Sequence, residues 1–249
     1  MSVMLLRSLF ICRANLPVGL FEGACDMHSH LLPGVDDGFP TVEKTLEGLA
    51  FMERHGFKKL KMTPHFMKDY PQNTKPVIEE KFKAFCQDHG NTVSVELSLG
   101  GEYMLDSCFL DRCAEGFLTL DKERTLVLCE TSYMMADPQM KEMVYEVMLK
   151  GYQPVMAHPE RYNYASMPLY KRWKEKDYLF QLNLLSLAGA YGDPAKMKAR
   201  DLLNEGMYDY VGSDLHRIEN VDRMISDIRL STKETDRLLQ LFENNKQLY

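Results

Sequence analysis

The chain contains 249 residues, of which 45% are hydrophobic and 27% are charged, and its formal net charge is −6. This composition supports a folded core and excludes a disordered chain. The acidic balance argues against nucleic acid as a main ligand, because binding to a phosphate backbone needs clustered positive charge. No apolar run approaches the roughly 18 residues that a membrane-spanning helix needs, so we expect no membrane span.

The chain is interpreted as one domain over residues 24–249, preceded by an N-terminal extension over residues 1–23. Arg7 interrupts the apolar stretch near the start and no Ala-x-Ala-like cleavage site follows it, so we do not expect a signal peptide. The six cysteines are scattered and form no Cys-x-x-Cys pair. This usage is typical of reduced thiols, so we expect a cytoplasmic location.

From residue 24 onward, short apolar runs alternate with amphipathic stretches at intervals of about 30 residues, the length of one strand–helix unit. The predicted strands lie at residues 24–27, 58–63, 93–99, 125–129, 153–157, 178–182 and 208–211. Helix starts are predicted at Asp137–Pro138, at Asp193–Pro194 and at the capping box that begins with Ser231. This alternation predicts an α/β fold with a parallel sheet, either a barrel or a doubly wound sheet.

Metal-binding residue types recur directly after the predicted strands. Five of the seven histidines and three acidic residues occupy this position, and Asp37 follows in a turn. Because the carboxyl ends of parallel strands share one face, we expect these side chains to converge. Any one of the motifs alone is more simply explained by ordinary core histidines, whereas their repetition favours metal. The nine candidate ligands are His28, His30, Asp37, His65, Glu102, Glu130, His158, Asp214 and His216.

Nine ligands exceed the needs of one four-coordinate structural zinc, so we predict two or three ions that share carboxylates. Imidazole and carboxylate ligands without thiolate favour Mn, Fe or Zn over Mg or Ca. His28 and His30 are two residues apart on an extended segment, so both can bind the same ion. Cys129 precedes Glu130 in its strand and is expected to point the opposite way, into the core.

Seven short motifs contain the candidate ligands: DMHSH at 26–30, GVDDG at 34–38, TPH at 63–65, GE at 101–102, ET at 130–131, HPERY at 158–162 and SDLH at 213–216. These motifs resemble those of the polymerase-and-histidinol-phosphatase (PHP) superfamily. Within that superfamily the chain resembles the bacterial metal-dependent protein-tyrosine phosphatases encoded with capsule and exopolysaccharide synthesis genes. The resemblance implies a distorted seven-stranded β/α barrel with three divalent ions, usually manganese. It also implies that the substrate is a phosphotyrosine protein, with an autophosphorylating bacterial tyrosine kinase as the partner.

The resemblance further implies how the site residues divide among the three ions. The first ion would bind His28, His30, Glu102 and Asp214, the second Glu102, Glu130 and His158, and the third Asp37, His65 and His216. Arg161 matches the phosphate-binding arginine and, with Glu102 and Asp214, is expected to act in catalysis. Arg217 and Arg223 are both candidates for a second phosphate-binding arginine, and we assign Arg217.

Phosphate-ester hydrolysis fits this ligand set, because clustered divalent ions lower the pKa of bound water and neutralise phosphoryl oxygens. No cysteine begins a Cys-x5-Arg motif, so cysteine-dependent phosphatase chemistry is excluded. The main alternative is a small-molecule phosphatase of the same superfamily, such as one acting on histidinol phosphate. An amidohydrolase is less favoured, because Glu130 occupies the position of its usual bridging lysine. A metal-stabilised module without catalytic activity is the third alternative.

Overall fold

The computed structural model describes residues 12–121, 123 and 125–249. Within these residues the strands are β1 (Ala14–Asn15), β2 (Cys25–Ser29), β3 (Lys59–Met62), β4 (His65–Phe66), β5 (Glu96–Leu99), β6 (Glu102–Met104), β7 (Leu126–Glu130), β8 (Gln153–Ala157), β9 (Leu179–Asn183), β10 (Tyr210–Gly212) and β11 (Arg229–Leu230). The α-helices are α1 (Val42–Arg54), α2 (Lys75–His89), α3 (Phe109–Glu115), α4 (Met140–Leu149), α5 (Met167–Lys174), α6 (Asp193–Glu205), α7 (Val221–Asp227) and α8 (Thr232–Asn245).

Two parallel sheets form the centre of the fold. The larger has the strand order β10-β9-β8-β7-β6-β4 and the smaller has the order β2-β3-β5. All neighbouring strands in these two sheets are parallel. Each of the seven predicted strands overlaps an observed one, so the α/β fold with parallel sheets is confirmed. Among the described residues the parallel strands form two separate sheets rather than one closed barrel.

Two of the predicted strands continue beyond a break and enter the other sheet. Pro64 separates β3 from β4, and residues 100–101, both glycine, separate β5 from β6. Proline lacks an N–H for a sheet hydrogen bond, which explains the first break. After the breaks, β4 and β6 pair in a register that places His65 beside Glu102. Each break therefore delivers a polar side chain to the carboxyl end of the sheets.

Backbone hydrogen bonds join the two sheets at the carboxyl ends of β2 and β10. The N–H of Asp214 donates to the carbonyl of His28 at 2.9 Å, and the N–H of His30 donates to the carbonyl of Leu215 at 3.0 Å. These bonds bring the two ends of the sheet system together. As a result, residues near the start of the chain lie beside residues near position 214.

Side chains of β7 alternate between two apolar clusters. Leu126 and Leu128 belong to a small cluster with Met27 and Val155, whereas Val127 and Cys129 belong to the main core beneath the helices. Cys129 is fully buried, which confirms its predicted orientation into the core. The alternation then turns Glu130 to the same side as Leu128, so the carboxylate faces the interior between the sheets.

One of the three predicted helix starts is observed as predicted, and the other two are shifted. Ser231 caps α8 through a complete capping box with Glu234, as predicted. Asp193 is the first residue of α6 rather than its N-cap, a position that Gly192 occupies. The helix expected at Asp137–Pro138 begins two residues later than Pro138, at Met140. Asp137 instead accepts a hydrogen bond from the N–H of Gln139, which forms a turn before the helix.

The described part of the N-terminal extension packs against the domain. Strand β1 pairs antiparallel with β11, and the ring of Phe21 stacks on Phe57 with centroids 5.2 Å apart. Phe21 also meets Phe242 of α8 edge-to-face at 5.6 Å. Residues 12–23 are thus attached to the core, while the rest of the extension lies outside the described residues. The boundary at residue 24 stays a prediction.

Replacement of Phe21 tests this attachment. Phe21→Ala should lower the free energy of unfolding by about 3 kcal/mol, because it removes a buried ring from a packed aromatic group. Val18→Ala is the control, since Val18 is fully exposed and its loss should change stability by less than about 0.5 kcal/mol. Urea unfolding of both variants gives the comparison. Equal stability of Phe21→Ala and the wild type would show that this segment contributes nothing to the fold.

Candidate metal centre

The structure brings all nine predicted ligand residues together at the carboxyl ends of the parallel strands. His28 lies in β2, His65 in β4, Glu102 in β6 and Glu130 in β7. The others lie in the segments that follow β2, β8 and β10: His30, Asp37, His158, Asp214 and His216. Seven of the nine are buried, His216 is half-buried, and Asp37 is exposed. The cluster therefore has a buried floor and one accessible side.

The first group of donor atoms is fully buried. His28 Nε2 lies 3.2 Å from His30 Nε2, and each of these nitrogens lies 3.3 Å from Glu102 Oε2. Asp214 Oδ1 is 3.4 Å from the His28 nitrogen and 3.3 Å from the His30 nitrogen. Four donor atoms so arranged surround one point. This is the ligand set expected for the first ion.

The second group forms around Glu130. His65 Nδ1 lies 3.0 Å from Glu130 Oε1 and 3.1 Å from Glu102 Oε2. His158 Nε2 is 3.0 Å from Glu102 Oε1 and 3.9 Å from Glu130 Oε2. The tight group is therefore His65, Glu102 and Glu130, with His158 beside it. The ligand set expected for the second ion contained His158 and did not contain His65.

The third group lies at the accessible side. Asp37 Oδ1 is 3.4 Å from His65 Nε2 and 3.5 Å from His216 Nε2. His30 completes this group, and its ring stacks on that of His216 with centroids 3.9 Å apart. The three residues expected for the third ion thus lie together. His65 lies between the second and third groups, with one ring nitrogen toward each.

Several buried polar atoms of the cluster have no hydrogen-bond partner among the described residues. They are His65 Nδ1, Glu102 Oε2, both carboxylate oxygens of Glu130, His158 Nδ1 and Asp214 Oδ1. Buried carboxylate oxygens without donors are costly unless a cation compensates their charge. Imidazole nitrogens and carboxylate oxygens are ligands for Mn, Fe and Zn. The residues present therefore fit a centre of divalent metal ions.

The second nitrogen of three histidines is hydrogen-bonded to an atom that is not one of the metal-facing donor atoms. His30 Nδ1 donates to Asp36 Oδ2 at 2.9 Å, and His28 Nδ1 donates to Gln181 Oε1 at 3.0 Å. His216 Nδ1 donates to the backbone carbonyl of Asp214 at 2.9 Å. Each bond fixes the tautomer that leaves Nε2 free to bind a metal, which is the usual arrangement of metal-bound histidine.

Sequence reasoning assigned no role to Asp36 or Gln181. Asp36 adjoins the predicted ligand Asp37, so its position in the GVDDG motif was a usable signal. Gln181 lies in β9, which contributes no predicted ligand, and it reaches His28 of the other sheet beside Gly212 of β10. Such supporting residues depend on long-range packing and carry no local pattern.

Charges within the cluster keep the carboxylates ionised. Burial alone would raise the pKa of Glu102, but His28 and His65 hold it well below the usual range. The pKa of Asp214 is lowered in the same way against burial, mainly by His28 and His30. Burial and His30 lower the pKa of His65, but Glu130 and Glu102 outweigh them and raise it to about 9. The cluster is thus built around negative charge.

Two predicted ligands have left-handed backbone conformations. The φ angle is 33° at His158 and 52° at Asp214, and such strain in residues other than glycine concentrates at functional sites. Backbone contacts offset it, since the N–H of Asp214 bonds to the carbonyl of His28. Gly212 permits the close approach, because a Cβ there would lie 2.6 Å from the Cβ of His28.

A cleft of about 840 Å³ opens at the accessible side of the cluster, and its wall includes His65, His216, Arg161 and Arg217. Arg161 Nη1 donates to Asp214 Oδ2 at 2.9 Å, so it lies directly beside the cluster. Arg217 is exposed in the cleft wall. Arg223 is also exposed but is not part of this wall. The cleft therefore joins a dense anionic cluster to two cationic side chains.

The sequence over residues 24–245 matches the model of a protein family described as capsular polysaccharide synthesis, CpsB/CapC. The chain belongs to the CpsB/CapC family. Two relatives with assigned names are similar over most of their length. The tyrosine-protein phosphatase YwqE of Bacillus subtilis is 28% identical over 78% of this chain and 78% of its own. The tyrosine-protein phosphatase CpsB of Streptococcus agalactiae is 24% identical over 78% of this chain and 83% of its own.

The fold of this CpsB/CapC chain is also similar to a solved structure. That structure comes from a study of YwqE from Bacillus subtilis and CpsB from Streptococcus pneumoniae, described as unique metal-dependent tyrosine phosphatases. The match has a TM-score of 0.75 at 24% sequence identity, and it covers 90% of this chain and 93% of the other. This similarity establishes a shared fold.

Asp36→Asn tests the supporting role of Asp36. Asp36 accepts three N–H donors, from His30, His65 and Gly38, so an amide would place one N–H against another. Titration of the chelated protein with Mn²⁺ should show binding weaker by about 10- to 100-fold. Asp69→Asn is the matched control at an exposed position and should bind as the wild type does. Unchanged affinity in a folded Asp36→Asn variant would contradict this role.

Proposed function

We propose that this CpsB/CapC chain is a metal-dependent protein-tyrosine phosphatase with three divalent ions, in the first place Mn²⁺, with Fe or Zn as alternatives. The observation that carries the proposal is the convergence of nine ligand residues on a cleft that also contains Arg161. The buried carboxylate oxygens without hydrogen-bond donors support the metal ions. The names of YwqE and CpsB, two members of similar length, support the substrate class.

The chemistry divides between the ions and the protein. Bound divalent ions supply Lewis acidity, which neutralises phosphoryl oxygens and increases the nucleophilicity of water. Arg161 supplies a permanently charged guanidinium whose planar donors match phosphate oxygens. One of its N–H groups is engaged by Asp214, which orients the guanidinium and leaves other donors for the ester. A tyrosine leaving group has a pKa of about 10 and needs less protonation than an alkoxide.

We assign the nine ligand residues as metal-binding and Arg161, Glu102 and Asp214 as catalytic. Glu102 contacts donor atoms of the first and second groups, and Asp214 links the first group to Arg161. Arg217 is assigned as the second phosphate-binding arginine. Its place in the cleft wall supports this choice over Arg223.

We also propose that the two sheets together make a distorted seven-stranded barrel. In this interpretation β3 with β4 and β5 with β6 each count as one broken strand. The hydrogen bonds between the carboxyl end of β2 and the segment that follows β10 support the closure.

A bacterial tyrosine kinase that controls capsule or exopolysaccharide synthesis is the proposed partner, and membership of a capsule-synthesis family supports it. The proposed location is the cytoplasm. In support, the six cysteines are free thiols, as a reducing compartment favours. Among the described residues, each helix is too short or too polar to span a bilayer.

Arg161→Ala tests the proposed reaction. With Mn²⁺ present, the wild type should release phosphate from a phosphotyrosyl peptide, and exhaustive chelation should abolish the activity. Arg161→Ala should lower kcat/KM by about 100-fold or more, because it removes a charged donor from the phosphoryl group. Steady-state phosphate release measures both effects.

Arg223→Ala is the matched control, because Arg223 is exposed and lies outside the cleft wall. Full activity after exhaustive chelation would contradict the metal-dependent reaction. Histidinol phosphate should be hydrolysed much more slowly than the peptide. A higher rate on histidinol phosphate would favour the small-molecule phosphatase instead.

A further inference from the structure

Two tyrosine rings enclose the guanidinium of Arg161. Its Cζ atom lies 4.2 Å from the ring centroid of Tyr133 and 4.0 Å from that of Tyr191. The Arg161 side chain is 15% exposed, so most of the cation is withdrawn from water. Cation–π attraction strengthens when the cation is desolvated. Both rings therefore stabilise the buried charge of Arg161.

The two tyrosines come from different segments of the chain. Tyr133 lies three residues beyond the end of β7, and its carbonyl accepts a hydrogen bond at 2.8 Å from the N–H of Asn163. Tyr191 precedes α6, in a turn that the N–H of Gly192 closes on the carbonyl of Gly189 at 3.0 Å. Arg161 itself ends a short 3-10 helix, Pro159–Arg161. Three separately anchored segments thus meet at one guanidinium.

The two rings restrict the position of the guanidinium and leave its N–H donors as the groups that reach polar partners. One donor already bonds to Asp214 Oδ2. Asn183 Nδ2 also donates to that oxygen, at 2.8 Å, and to the hydroxyl of Tyr191, at 3.0 Å. The ring of Tyr191 is thereby tied to the same carboxylate that Arg161 contacts.

We propose that Tyr133 and Tyr191 form an aromatic clamp that positions Arg161 to bind the phosphoryl group of the substrate. Arginine loses much side-chain entropy when it is ordered, so a guanidinium held before binding gains affinity for phosphate. The clamp rests on the proposed function for its substrate, but its action on phosphate does not require turnover. Tyr133 and Tyr191 are positioning residues in this account.

The test compares leucine and phenylalanine at both positions. Tyr133→Leu and Tyr191→Leu remove the aromatic ring. Each should weaken inhibition by inorganic phosphate and raise KM for a phosphotyrosyl peptide by about 3- to 30-fold, the range of a cation–π contact. Tyr133→Phe keeps the ring, so phosphate binding should stay close to that of the wild type. Tyr191→Phe keeps the ring but loses the hydroxyl that Asn183 contacts, so it should bind phosphate more tightly than Tyr191→Leu does. Tyr145→Leu, at an exposed tyrosine on α4, is the matched control.

Two further measurements separate the clamp from a structural role. The ring of Tyr133 lies 6.0 Å from that of His158, so Mn²⁺ affinity is titrated for each variant and should not change. Direct calorimetric binding of inorganic phosphate to the Mn²⁺-loaded protein reports on the clamp without catalysis. If Tyr191→Leu does not fold, the result for Tyr133→Leu tests the clamp alone. Tyr133 is partly exposed, so its replacement should leave the fold intact.

The outcomes discriminate between this inference and the proposed function. Wild-type phosphate binding in a folded leucine variant would overturn the clamp. A variant that binds phosphate less tightly only because it has lost Mn²⁺ would overturn it too. Failure of phenylalanine to restore binding would overturn it as well. A wild type that binds phosphate but does not hydrolyse the phosphotyrosyl peptide would refute the proposed function. The clamp would then still be supported if leucine weakened phosphate binding and phenylalanine restored it.

Discussion

The burial of several carboxylates in one small space is the constraint on which the structure depends. Glu102, Glu130 and Asp214 are each almost fully buried, and oxygens of all three have no hydrogen-bond donor among the described residues. Mutual repulsion of such groups is large in a medium of low dielectric constant. Only positive charge at the same place makes the arrangement stable, and the surrounding imidazoles leave donor atoms that suit divalent cations.

Much of the local architecture serves this constraint. The break at Pro64 and the register of β4 with β6 place His65 against Glu102. The left-handed conformation of Asp214 presents one carboxylate oxygen to His28 and His30 and the other to Arg161. Bonds from the outer nitrogens of the histidines then fix the ligand orientation. The strain and the buried charge are thus concentrated where a substrate phosphate would bind.

The sequence was sufficient for the parallel α/β fold and for the nine residues of the cluster. Both follow from local signals, since eight of the nine residues lie at or just beyond an apolar run whose direction is shared by its neighbours, and Asp37 lies in the turn that follows the first of these runs. The division of these nine residues among the three groups of donor atoms was less predictable. His65 lies between two groups, because its ring orientation depends on packing between β4 and β6 rather than on its own motif. No short-range sequence pattern indicates the roles of Gln181, Tyr133 and Tyr191. The contact of Phe21 with Phe242 joins opposite ends of the chain, so it could not be predicted locally either.

The most direct test of the central claim is the number of ions that the cluster binds. Crystals grown with Mn²⁺ and measured at the manganese absorption edge would give the positions of bound ions from anomalous difference density. We expect three peaks, one in each group of donor atoms: the group of His28 and Asp214, the group of Glu130, and the group of Asp37 and His216. A single peak, or none within the cluster, would contradict this claim.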